Sequence, residues 1–232
     1  MAQCTKGFRL KKILIMAMLF TNLSGIFISQ SEAKPFLMGG YIDISTGSGN
    51  YELEDSDREI NMDLTSGDTG FTLDTDTTYQ SFFNYRLNIG LKTRKIDDEF
   101  NTSVDLPGIS LENIFAFAFD QGPGYRWWGG PLFLFGFNSG TGEVYYDDSG
   151  TKHEDEYFFG QLGIGLVTGI NFKAGNYTTL APSMGVRVIG GPGSIQTCNE
   201  EREYRRTCEN VNRDEDFFAT HTEIFASLAV LF

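Results

Sequence analysis

Eight ionisable side chains fall on the inward-facing rows of segments that read as β-strands: Asp43, Arg86, Glu112, Asp120, Arg126, Arg187, His221 and Glu223. Two kinds of chemistry suit such a set. A packed network of ion pairs and hydrogen bonds would fill a narrow interior, because charges taken out of water need partners. A narrow conducting path is the alternative, with Arg86 and Arg187 setting charge preference. His221 and Glu223 raise a third possibility, since they share a strand face about 7 Å apart. A nucleophilic triad would also need a serine within hydrogen-bond reach. Ser227 shares their face but lies roughly 20 Å along the strand from His221, while Ser183 on another strand stays open. No catalytic motif stands out, so neither an enzyme nor a cofactor is expected.

The elements that would position these residues alternate with period two and are separated by turn chemistry. Strands are expected near 36–53, 59–74, 78–92, 110–120, 125–147, 156–173, 177–190 and 216–232. The third is the clearest: Tyr79, Ser81, Phe83, Tyr85, Leu87, Ile89 and Leu91 form one row, opposed by Gln80, Asn84, Arg86, Asn88 and Lys92. The second is the weakest, its alternation failing around Ser66-Gly67-Asp68. In the fourth, Phe115, Phe117 and Phe119 oppose Glu112, Ala116, Ala118 and Asp120; in the fifth, Ser139–Gly142 reads as a possible interruption. Gly122-Pro123-Gly124 and Ala174-Gly175-Asn176 read as tight turns. Aromatic girdles are expected at strand ends, from Tyr79, Trp127, Trp128, Tyr145, Tyr146, Tyr157, Tyr177, Phe217 and Phe218. Glycines on inward rows, among them Gly90 and Gly169, would leave room for larger lumen side chains.

The last strand closes on an apolar row, Ile224, Ala226, Leu228, Val230 and the terminal Phe232. A strand with one apolar and one partly polar face suits a wall between lipid and a polar lumen. The other end of the chain agrees. Lys6, Arg9, Lys11 and Lys12 precede a mostly apolar stretch over 13–28, and Ser31-Glu32-Ala33 supplies small residues for cleavage after Ala33. Residues 1–33 thus read as a secretory signal peptide and 34–232 as one domain, a retained membrane anchor being the alternative. After cleavage no apolar run is long enough for a transmembrane helix, whereas tilted strands of roughly 9–11 residues remain possible.

The whole chain carries 18 basic and 31 acidic residues. Such a balance makes nucleic acid a poor partner. The acids gather between strands, at Glu52–Glu59, Asp97-Asp98-Glu99, Asp147-Asp148 and Glu154-Asp155-Glu156, as solvated loop tips or as a surface taking up divalent cations beside lipopolysaccharide. None has the spacing of an EF-hand loop, so no metal site is expected. Cys198 and Cys208 form an even pair in an exported chain, which reads as a disulfide.

In architecture the chain resembles the small eight-stranded outer-membrane barrels, the OmpA transmembrane domain and OmpX-like proteins. The resemblance rests on Gly39-Gly40-Tyr41-Ile42-Asp43, Phe83–Gly90, Arg126-Trp127-Trp128-Gly129-Gly130-Pro131 and the terminal Ile224–Phe232. It implies an all-β, antiparallel, up-and-down transmembrane barrel in the cell outer membrane of a Gram-negative bacterium. Its partners would be outer-membrane lipid, lipopolysaccharide and the barrel-assembly machinery, which would read Leu228, Val230 and Phe232. The barrel is expected to be monomeric, with short turns and both termini on the periplasmic side and, as Phe232 ends the sequence, no cell-wall tether. A structural or surface-interaction role with a plugged lumen is expected first, a porin-like channel second, and a lipid-modifying enzyme third.

Overall fold

The computed structural model describes residues 36–53, 59–75, 81–98, 103–146, 152–201, 205–207 and 215–232, with side chains described through all but the outermost strand ends. Residues 1–33, read above as a signal peptide, lie outside the described residues.

The strands are β1 (Leu37–Leu53), β2 (Glu59–Asp74), β3 (Phe83–Asp98), β4 (Ser103–Gly122), β5 (Tyr125–Tyr146), β6 (Lys152–Lys173), β7 (Thr179–Glu201), β8 (Arg205–Thr207) and β9 (Glu215–Leu231). Each of β1 to β6 pairs antiparallel with the next. β7 pairs with both β6 and β9, and β9 returns to β1, so the sheet closes into an eight-stranded barrel. The three-residue β8 is an appendage paired to the end of β7, opposite Asn199–Glu201. Closure removes every free edge from the wall. Gly124 and Gly175 turn the chain with φ of 87° and 125°, a backbone region that costs glycine little.

Several strands run further than alternation suggests. The third continues to 98 rather than ending at 92, the fourth begins at 103 rather than 110, and the seventh continues to 201 rather than 190; of the start expected for the third, 78–80 lie outside the described residues. One physical change accounts for these extensions. Near the end carrying both termini, outward positions are apolar and exposed, such as Ile42, Ile44, Leu91, Ile164 and Val186. Beyond that belt the pattern inverts. Outward residues become Ser48, Asp63, Thr93 and Asp105, while inward ones become Met62, Leu64, Val104 and Leu106. Strand β2 shows both regimes, with even-numbered positions facing in throughout and the chemistry switching at Ser66-Gly67-Asp68. Its alternation in space never breaks; only the face that is apolar changes. In β5 the expected interruption over 139–142 is instead a register irregularity between Thr141 and Val144 within a continuous strand.

Three apolar clusters pack the interior around the charges. One, on the β4–β7 side, includes Ile114, Trp128, Leu132, Leu134, Val167 and Phe225. Trp128, expected above in an interfacial girdle, is fully buried there, because it has the opposite parity to its outward neighbour Trp127. Phe217 also turns inward, ring to ring with Tyr51 at 5.6 Å and Phe159 at 6.0 Å.

Candidate functional site: two charge clusters in the lumen

The inward rows of β1, β3, β7 and β9 converge on the Glu223 carboxylate. Arg94 Nη2 donates to its Oε1 at 2.6 Å, and Arg187 Nε donates to its Oε2 at 2.7 Å. Ser45 Oγ donates at 3.1 Å, His221 Nε2 lies 3.2 Å away, and Lys92 Nζ stands at 3.7 Å. Arg187 also reaches Glu112 at 2.6 Å and Asp43 at 3.2 Å. Its guanidinium thus ties β7 to β1, β4 and β9, while stacking 4.7 Å over the Phe225 ring. The Arg187–Glu112 and Arg94–Glu223 bonds join strands that are not neighbours in the wall, so they run across the lumen. All these side chains are buried.

A side branch extends from this cluster. Tyr41 donates to Asp68 Oδ1 at 2.9 Å, and Ser110 donates to the same carboxylate. Gly90 makes the space: a Cβ there would stand 2.1 Å from Asp68 Oδ1 and 2.2 Å from the Tyr41 hydroxyl. Gly90→Val is expected to cost about 1–3 kcal/mol by overpacking, read as a lower urea midpoint for protein refolded in micelles. An unchanged midpoint would show that the Tyr41–Asp68 pair has room to move.

A second cluster sits nearer the termini. Arg86 pairs with Asp74 at 2.7 Å, donates to Asn171 at 2.7 Å and lies 4.7 Å over the Trp128 ring. The Trp128 indole donates to the same Asn171 oxygen at 2.9 Å. Asn84 bridges Asp74 at 2.7 Å and Arg126, whose guanidinium also donates to the Ala116 carbonyl at 3.3 Å. Planar guanidinium groups suit such sites because they can serve several acceptors while stacking on a ring.

The eight singled-out residues therefore divide. Asp43, Glu112, Arg187, His221 and Glu223 meet in the first cluster; Arg86 and Arg126 meet in the second. Asp120 belongs to neither. A register shift between Ala118 and Asp120 turns it outward, where it is exposed and accepts from the Tyr125 hydroxyl at 3.2 Å. Four further charged members are absent from the eight: Asp68, Asp74, Lys92 and Arg94. Arg94 continues the Arg86-Asn88-Gly90-Lys92 row by one step, past the point where the outward apolar row stops at Leu91. Asp68 and Asp74 lie on β2, where the apolar face inverts.

His221 has Glu223 beside it, and Ser45 donates to that glutamate rather than to the imidazole. The acid stands between serine and histidine, which is the wrong order for activating a nucleophile. Ser183 pairs with Ser227, six positions along β9 from His221. Among the described residues no group of three or more His, Cys, Asp or Glu side chains is placed to hold a metal ion. Cys208 and the Cys198 side chain lie outside the described residues; their chain neighbours Asn199 and Thr207 face one another in the β7–β8 ladder.

No family model matches this chain, and no curated protein matches it in sequence. Solved structures do match in shape. The outer membrane protein OprG from Pseudomonas aeruginosa superposes with a TM-score of 0.52 at 9% identity, over 84% of this chain and 94% of that one. Neisserial surface protein A (NspA) gives 0.33 at 12% identity, over 84% and 97%. The translocator domain of autotransporter NalP from Neisseria meningitidis gives 0.36 at 10% identity, over 99% of each chain. The OprG match carries the fold: this chain has the architecture of small outer-membrane β-barrels. The two lower scores add nothing to that.

Proposed function

We propose that the chain is an outer-membrane barrel with a structural or surface-interaction role, its lumen closed by the Glu223–Arg187 cluster. The observation that carries this reading is the pair of cross-lumen bonds, Arg187 to Glu112 and Arg94 to Glu223, each at 2.6 Å between buried groups. Eight strands enclose little more than their own side chains, so a few such bonds suffice to block the bore. The exposed apolar belt supports placement in a bilayer, and the polar outward rows beyond it support contact with water and lipopolysaccharide headgroups. Phe232, 66% exposed at the end of the outward row with Val230 and Leu228, supports delivery by the barrel-assembly machinery. In this reading the barrel is a monomer, both termini face the periplasm, and the charged groups hold the wall together without catalysing a reaction. The disulfide expected between Cys198 and Cys208 from the sequence belongs to this reading.

Planar-bilayer conductance tests the closed lumen, using only refolded protein whose gel mobility shifts on boiling. Silence is expected. Stable, reproducible channels would overturn the plugged reading in favour of a narrow pore, and Arg86→Ala and Arg187→Ala would then be expected to change its charge selectivity.

A further inference from the structure

Above the Glu223 cluster, away from the termini, the lumen widens into a small, partly open recess. Its walls are apolar: Met62, Leu64, Val104, Leu106, Phe159 and Phe217 all line it. Its floor is not. Arg94 lies one inward step below Ile96, which also lines the recess, and its guanidinium sits 6.0 Å over the ring of Phe159. Arg94 is fully buried, yet its Nε and Nη1 have no hydrogen-bond partner among the described residues. Lys92 Nζ below it has none either. One carboxylate, Glu223, serves Arg94, Arg187, Lys92 and His221 together. Glu112 and Asp43 offset Arg187 as well, so the group left unmet directly beneath the hydrocarbon wall is the Nε and Nη1 edge of Arg94.

Buried donors without partners are costly, and a guanidinium edge favours a carboxylate above other acceptors. We propose that the recess binds a short aliphatic monocarboxylate, its head on the free edge of Arg94 and its tail against Leu64, Leu106 and Phe217. Phe159 is the residue that must yield, its ring turning aside to uncover the guanidinium. A neutral chain would leave the donors unmet, and a small anion without a tail would leave the apolar wall wet. Recognition thus needs both halves of an amphipathic anion. The site ends blindly at the Glu223 cluster, so occupancy is independent of whether the barrel conducts.

Isothermal titration of the full barrel in lipid nanodiscs tests this, with hexanoate as probe and acetate and 1-hexanol as its two halves. Empty nanodiscs set the partitioning background. Saturable one-to-one hexanoate binding is expected, with both halves weaker by about tenfold or more. Arg94→Gln is expected to reduce hexanoate affinity by about tenfold or more and to leave 1-hexanol unchanged. Leu106→Phe, which fills the recess without touching the charges, should abolish both and supplies the test if Arg94→Gln does not fold. Hexanoate heats equal to those of empty nanodiscs, or an unchanged affinity in a folded Arg94→Gln or Leu106→Phe barrel, would overturn the site.

Discussion

Arg187→Met is expected to destabilise the barrel by about 3–5 kcal/mol, the range for removing one partner from a buried charge set. Three carboxylates depend on that one guanidinium: Glu223 at 2.7 Å, Glu112 at 2.6 Å and Asp43 at 3.2 Å. Glu223 retains Arg94 and Lys92, but Glu112 loses its closest cation, and Asp43 already has one oxygen without a partner among the described residues. Stacking on Phe225 is lost as well, which adds roughly 0.5–2 kcal/mol. The measurement is the urea midpoint and the boiling-dependent gel shift of refolded protein. Glu112→Gln placed on top of Arg187→Met should recover part of the loss, because it removes one stranded charge. A single variant as stable as the parent would mean that water reaches these carboxylates and the lumen is not closed.

The second large effect concerns the outer surface. Ile164 is exposed near the middle of the β6 apolar run from Phe158 to Phe172. Ile164→Arg is expected to cost about 2–4 kcal/mol, the depth-dependent penalty for a cation at the bilayer midplane. Ser48→Arg is its control. Ser48 also faces outward and is exposed, but it lies beyond the belt, register-paired with Asp63 and Thr222. There the cost should fall to about 0–1 kcal/mol. Unfolding in lipid vesicles, rather than micelles, measures both against one hydrocarbon thickness. Equal penalties at the two positions would show that the boundary between apolar and polar outward residues is not the membrane boundary.

How much of this was legible in the sequence depends on which neighbour a residue needs. Strand β2 matches the expected 59–74 in full, and the parity of Asp43, Arg86, Glu112, Arg187, His221 and Glu223 follows from alternation alone. Parity is local, so one strand suffices to read it. Arg94 was lost because hydrophobicity changes face near Thr93, and a rule that equates apolar with outward ends the strand there. Asp120 departs from the alternating pattern because a single register irregularity after Ala118 reverses parity, and nothing in Phe117-Ala118-Phe119-Asp120 announces it. Trp128 shows the limit of composition: one of two adjacent tryptophans must face inward, and the buried one finds Asn171 and Arg86 only after closure. The division of the charges into two clusters was illegible for the same reason. Arg187 and Glu112 are 75 residues apart in the chain and meet only across a closed wall.

The inversion of the apolar face has a thermodynamic consequence. Around the belt, outward apolar side chains gain nothing from leaving water for one another, because lipid already receives them; cohesion there rests on backbone ladders and lumen charges. Past the belt, Met62, Leu64, Phe159 and Ala219 gather inside a wall whose outer surface is wet, as in a water-soluble barrel. Burial of that cluster carries the heat-capacity increment of ordinary hydrophobic folding, and the membrane half contributes little of it. One continuous sheet therefore responds to two solvents. Cooling and mild urea loosen the rim first, while a change of lipid or detergent is felt first at the waist.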